Sequence, residues 1–99
     1  MLMLFKVQDK SMEPVFKEGD YIIINRLAYI FGKPSRDDVI VVKHPKEKGQ
    51  LMLKRVSLVT RGKCFVVGDN EERSADSRHF GAIDNDLILG KLFMHIKNR

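Results

Sequence analysis

Ninety-nine residues carry 18 Lys+Arg against 13 Asp+Glu, a formal charge of +5, with one cysteine and no tryptophan. That length suits one domain with a modest core, and 43% hydrophobic with 31% charged residues excludes a disordered tail. The lone Cys64 excludes an internal disulfide and a Cys-rich zinc site. Seven basic residues lie between Lys43 and Lys63 with Glu47 as the only acid, a surplus that admits nucleic acid, a membrane surface or an acidic partner without selecting one.

Taken in chain order, Met1 to Phe5 is apolar but stops at Lys6. It falls far short of the roughly 20 residues that cross a bilayer and lacks the charged start of a secretory signal. No later run is longer, so the expectation is a soluble chain. Glu18-Gly19-Asp20 reads as a turn, and Tyr21-Ile22-Ile23-Ile24 as the first β-rich run. Ala28-Tyr29-Ile30 is a candidate short helix. Gly32 to Ser35 breaks the chain, and Val39-Ile40-Val41-Val42 reads as a buried strand. His44-Pro45 to Gly49 is a polar loop, because proline removes a donor and biases its predecessor away from helix. Leu51 to Val59, Cys64 to Val67 and Leu87 to Phe93 complete five strands. The polar segment Gly68 to Asp86 has no periodicity, and a loop of that length in so small a domain is usually functional or disordered. The whole reads as one mostly-β domain over residues 1–99, with several antiparallel strands and one long ordered loop.

Two segments carry chemistry. Ser11-Met12-Glu13-Pro14 precedes the first strand. A serine hydroxyl is a poor nucleophile until a base takes its proton. None of His44, His79 and His95 sits in a triad context, and no Gly-x-Ser-x-Gly elbow exists. In Leu51-Met52-Leu53-Lys54-Arg55-Val56-Ser57-Leu58, alternation places Met52, Lys54, Val56 and Leu58 on one face and Arg55 on the other. Lys54 is then the single charge among apolar neighbours. It is either an edge lysine that wards off aggregation or a buried amine whose pKa desolvation lowers, a general base that needs no histidine.

With these residues in view, Ser11-Met12-x-Pro14, Lys54-Arg55-Val56, and Gly68-Asp69-Asn70 with Ser74-x-Asp76-Ser77-Arg78-x-Phe80-Gly81 resemble the signal peptidase I family of Ser/Lys proteases. The fold implied is a small signal-peptidase or repressor-cleavage-domain type of β fold. The resemblance makes Ser11 the nucleophile, with its backbone N–H an oxyanion donor, and Lys54 the base. It makes Ser74 the hydroxyl that orients the lysine amine, and Asp76 the partner of Arg78 and Arg55. Gly68-Asp69-Asn70 becomes the turn opening the loop, while Met12 and Pro14 shape the loop around the nucleophile. No cofactor or metal is implied. The partner implied is a precursor protein bound as an extended strand.

Two departures stand out. Where bacterial signal peptidases place a serine or glycine two residues before the nucleophile, this chain has Asp9. An ionised carboxylate only accepts and repels a developing oxyanion. It can point away, be protonated, or leave the role to water or backbone; turning towards Lys10 or Lys6 is the expectation. The chain also shows neither the membrane spans nor the exposed apolar surface of membrane signal peptidases. Together with Val41-Val42-Lys43-His44-Pro45 and the compact Leu51-to-Arg55 spacing, this resembles the small maturation proteases associated with nickel-type superoxide dismutase. The function implied is removal of an N-terminal segment from such a precursor, in the cytoplasm if the chain is complete. The alternative is a catalytic fragment of a membrane signal peptidase I on the extracytoplasmic face. A self-cleaving repressor would need a helix-turn-helix or an internal cleavage segment. A non-enzymatic nucleic-acid module is poorly served by 8% aromatics, with Phe65 and Phe80 read as core.

Overall fold

The structure, a computed structural model, describes residues 1–30 and 32–97. One antiparallel sheet runs through it, built from β1 (Leu2–Lys6), β2 (Tyr21–Asn25), β3 (Val39–Lys43), β4 (Leu51–Thr60), β5 (Lys63–Val67), β6 (Ile83–Asp84) and β7 (Ile88–Ile96). The spatial order is β1-β2-β7-β3-β4-β5-β6, and the sheet curls into a half-barrel. Four of the five expected strands match an observed one to within a residue or two at each end. The fifth begins at Ile88 and continues past Phe93 to Ile96.

β3 organises the core because both of its faces are covered. Val39 and Val41 join Val7, Met12, Phe16, Ile22, Ile24 and Leu53 in one apolar cluster. Ile40 and Val42 join Met52, Val56, Cys64, Val66 and Ile83 in another. Since successive strand residues point to opposite faces, the two clusters lie on opposite sides of the sheet. This is why β3 reads as an unbroken apolar run rather than an alternating one.

Three expectations need correcting. Met1 to Phe5 is not merely an apolar end: Leu2–Lys6 is the edge strand β1, paired with β2 from Leu2↔Asn25 to Lys6↔Tyr21. Apolar residues at consecutive positions concealed its alternation. Met3 and Phe5 pack on the first cluster, while Leu2 and Leu4 stand 54% and 60% exposed. The register carries this outer face onto β2 and β7 through Leu4↔Ile23↔Met94 and Lys6↔Tyr21↔Ile96. Tyr21, Met94 and Ile96 are exposed there as well, so the chain does present an exposed apolar face. Secondly, Leu58 does not share the environment of Lys54. A register shift between Val56 and Leu58 ends the alternation, and Leu58 is exposed. Thirdly, residues 26–30 form turns rather than a helix, held where the Tyr29 hydroxyl donates to Asp38 at 2.7 Å.

The segment after β5 is more structured than its sequence suggested. It holds the one-turn helix α1 (Ser77–Phe80) between short 3-10 turns at Glu71–Arg73 and Asn85–Leu87. Asp76 caps α1 by accepting from the Arg78 N–H, which is how an aspartate before a helical turn satisfies an otherwise open donor.

Gly90 on β7 lies against the backbone at the end of β2. A Cβ there would fall 2.6 Å from the Asn25 carbonyl oxygen, a backbone atom that cannot swing aside. Gly90→Ala should therefore lower stability by roughly 1–3 kcal/mol through forced backbone displacement, read from the urea midpoint at unchanged m-value.

Candidate active site

Ser11 sits in a loop whose base is closed by backbone bonds from Val7 N–H to Asp20 O and from Gly19 N–H to Val7 O, each 2.8 Å. Gly19 has φ 94°, a backbone conformation that only glycine adopts without strain. Met12 and Phe16 drive the loop inward as members of the first apolar cluster. Phe16 N–H also bonds to Met12 O at 2.9 Å. Ser11 itself is buried, whereas Pro14 is exposed on the outer side of the loop.

The loop after β5 grips this one from above. Asn70 donates its N–H to Ser11 O at 2.8 Å and its side-chain Nδ2 to Lys10 O at 3.1 Å. Asp69 N–H reaches the Met12 sulfur at 3.4 Å. Gly68 is the tightest point, because a Cβ there would lie 2.3 Å from Ser74 Oγ and 2.6 Å from Ser11 O. The Gly-Asp-Asn turn is thus a clamp on the Ser11 backbone, and Gly68 is glycine because two site residues already occupy its side-chain space. The sequence signalled a turn there but nothing about its target.

Lys54 lies on β4 between Met52 and Val56, 2% exposed, at the margin of the second cluster. Its Nζ donates to Ser74 Oγ at 3.1 Å. Ser74 in turn donates to Asp76 Oδ2 at 2.5 Å. A serine hydroxyl has one proton. With that proton committed to Asp76, Ser74 can only accept from Lys54, so the amine is held by an N–H. Burial lowers the Lys54 pKa; Asp9 and Asp76 oppose that effect, and Arg78 adds to it.

Asp76 is the hub of the network. It accepts from Ser74 Oγ, Gly68 N–H at 2.8 Å, Arg78 N–H and Nε at 3.0 Å each, and Arg78 Nη2 at 2.6 Å. Its burial works against ionisation, but the Arg78 guanidinium, the Ser74 hydroxyl and the two backbone N–H groups outweigh it and hold the carboxyl well below the usual range. Ser77, which the sequence placed only within a motif, accepts from Val66 N–H at 2.8 Å and fixes α1 against β5.

Two expected partnerships are different in the structure. Arg55 does lie on the face opposite Lys54, but it does not pair with Asp76. Its Nε and Nη2 bind Asp69 in a two-pronged pair at 2.9 Å each, so the fork geometry of the guanidinium is spent on the clamp turn. The reason is reach: Asp76 is already enclosed by donors from its own loop. Asp9 likewise does not turn towards Lys6 or Lys10. Its Oδ1 accepts the Ser11 backbone N–H at 3.1 Å, the short-range bond that an aspartate makes two residues ahead of itself. Beside the Ser11 loop, Glu13, Pro14, Asp69, Asn70, Glu71 and Glu72 line an open groove of about 530 Å³.

Asp76 should set the acid limit of the fold. A carboxyl whose pKa is lower folded than unfolded contributes stability above its unfolded value of about 3.9, and that contribution is lost as pH falls through and below it. Asp76→Asn should cost about 3 kcal/mol at pH 7, because Arg78 and the two N–H groups lose their anion, and should flatten the decline in stability between about pH 5 and pH 2. Chemical denaturation across that range measures both. Gly68→Ala should separate the Ser11 and Ser74 loops and lower the melting temperature, whereas Gly81→Ala, with nothing within 4 Å of its Cβ, meets only backbone strain at φ 83°.

Comparison with known proteins gives the family of the chain. The family model described as "Signal peptidase, peptidase S26" matches residues 1–59 and 57–96. The chain is 30% identical to the mitochondrial ATP-independent inner membrane protease subunit 1a of Arabidopsis thaliana, over 91% of this chain and 67% of that protein. It is 29% identical to signal peptidase I V of Bacillus subtilis, over 87% of this chain and 80% of that one. For mitochondrial inner membrane protease subunit 1 of Mus musculus the identity is 29%, over 87% of this chain but only 64% of the relative. Among the described residues no helix is long and apolar enough to cross a membrane. The chain belongs to the signal peptidase, peptidase S26, family.

Proposed function

We propose that this peptidase-family chain is a serine endopeptidase in which Ser11 attacks the scissile carbonyl and Lys54 removes the Ser11 proton. The observation that carries this reading is the burial of Lys54, which lowers the amine's pKa and so favours the neutral, proton-accepting form. Ser74 serves as the orienting group: its own proton is engaged by Asp76, so it takes one N–H of Lys54 and leaves the amine's lone pair for the Ser11 hydroxyl. Asp76 and Arg78 hold Ser74, while Arg55, Asp69 and Asn70 hold the Ser11 loop. In the reaction Lys54 accepts the hydroxyl proton as the C–O bond forms. It then returns that proton to the departing amine, and water hydrolyses the acyl-enzyme by the same route.

The substrate is proposed to be a precursor protein that presents an extended segment, bound by strand addition alongside the groove of Glu13, Pro14 and Asp69–Glu72. Removal of an N-terminal segment is the outcome, with a nickel-type superoxide dismutase precursor as the finer candidate. The relatives named signal peptidase I and inner membrane protease favour a signal-peptide substrate as the second candidate. Incubating the purified chain with each precursor and sequencing the new amino termini separates the two.

Ser11→Ala and Lys54→Ala should each abolish cleavage with the fold intact by circular dichroism, and Ser74→Ala should lower kcat by roughly 10- to 100-fold. The wild-type rate should rise with pH through an ionisation below the ordinary lysine value of about 10.4. Burial favours the neutral amine, so raising the pH populates the base. Full activity in Lys54→Ala, or a rate without any such limb, would falsify the pair.

A further inference from the structure

We infer that Asp9 is a resident occupant of the oxyanion position, a carboxylate that keeps the Ser11 N–H closed until the substrate carbonyl displaces it. This rests on the reading of Ser11 as nucleophile and goes beyond it. The observation is the hydrogen bond from Ser11 N–H to Asp9 Oδ1 at 3.1 Å. In serine acyl transfer the nucleophile's own N–H is the donor nearest the developing oxyanion. A donor has one proton to give, so a carboxylate oxygen on it and a substrate oxyanion are mutually exclusive. The bound oxygen carries the charge that an oxyanion would carry, which makes Asp9 an intramolecular mimic of the tetrahedral state.

Three further features fit a displaceable occupant rather than a fixed structural bond. Asp9 is exposed whereas Ser11 is buried, so the carboxylate can rotate into water and recover its hydration there. The loop does not depend on this bond for its shape, since Val7, Gly19, Asp20, Phe16 and Asn70 close it through backbone bonds. The Asp9 charge also bears on Lys54. Burial lowers the amine's pKa, and among the charges opposing that Asp9 outranks the buried Asp76. With Asp9 in place the donor is taken and the base is biased towards its protonated form. Both are lifted when the carboxylate swings out.

The size of the effect follows from the open fraction. If the open form is about a tenth of the population, apparent affinity for anything needing the donor is reduced about tenfold. The test compares wild type with Asp9→Gly, which removes the acceptor, and Asp9→Asn, which keeps an oxygen acceptor and the loop turn but removes the charge. Three readouts are taken: kcat/KM on a cleavable peptide, inhibition by the matching peptide aldehyde, whose hemiacetal with Ser11 places an oxygen on the N–H, and inhibition by a reduced peptide in which a neutral –CH2–CH2– link replaces the scissile amide.

The expected result is that Asp9→Gly raises kcat/KM and tightens the aldehyde by roughly tenfold, with Asp9→Asn showing a smaller rise in both. The reduced peptide, having no oxygen to place, should bind all three proteins equally. Unchanged or lower kcat/KM in both variants overturns the inference, and so does an equal gain for the reduced peptide, which would make Asp9 a general obstruction of the groove. Should Asp9→Gly fail to fold, Asp9→Asn alone decides by the same criteria. Cleavage by none of the proteins, or equal cleavage by a Ser11→Ala control, overturns the serine-peptidase reading instead, whereas cleavage only by the Asp9 variants is the strongest support.

Discussion

A lysine amine in an apolar strand is the constraint around which the rest of this small structure is arranged. Taking an ammonium out of water is unfavourable by several kcal/mol unless something compensates or the group loses its proton. Among the described residues Lys54 is given only limited compensation: one side-chain hydrogen bond, to a hydroxyl that has already committed its proton elsewhere. A carboxylate touching Lys54 directly would favour the charged form. The network inserts Ser74 between the two, so Asp76 fixes the geometry at one remove and its charge is met chiefly by Arg78.

That arrangement explains why so much polar structure is concentrated after β5. Five donor contacts converge on Asp76, and α1 supplies three of them from Arg78 while Ser77 ties the turn to β5. The same loop descends through Gly68 onto the Ser11 backbone. Lys54 and Ser11 come from elements 43 positions apart, and this one loop touches both. Arg55, on the other face of β4, braces the loop through Asp69. Adjacent residues of one strand therefore do complementary jobs, because alternation sends them to opposite sides of the sheet.

The Asp9 contact adds a second charge to the site, this one directly on the Ser11 N–H. A site that combines a desolvated base with an open N–H donor is reactive towards any extended peptide it meets. On the proposed reading, a carboxylate two residues upstream lowers that reactivity at rest, and a well-fitted substrate overcomes it through its own binding energy. Functional sites commonly hold their groups in such unfavourable arrangements, supported by the surrounding fold.

How much of this was legible in the sequence follows from the range of each interaction. The buried run Val39–Val42, the turn at Glu18–Asp20, the alternation that isolates Lys54, and the opposed Arg55 are short-range patterns, and periodicity alone determined them. The ion pair inside Ser74-x-Asp76-Ser77-Arg78 came with the family resemblance, whereas the helical turn that Asp76 caps left no periodicity to read. β1 was hidden because both of its faces carry apolar residues and no alternation shows. The Leu58 environment, the Arg55–Asp69 pairing, the space that Gly68 leaves for Ser11 and Ser74, and the turn of Asp9 onto Ser11 N–H were decided only by tertiary structure. Each depends on which atoms of two distant segments arrive within hydrogen-bonding or van der Waals reach, and spacing along a chain carries no information about that distance.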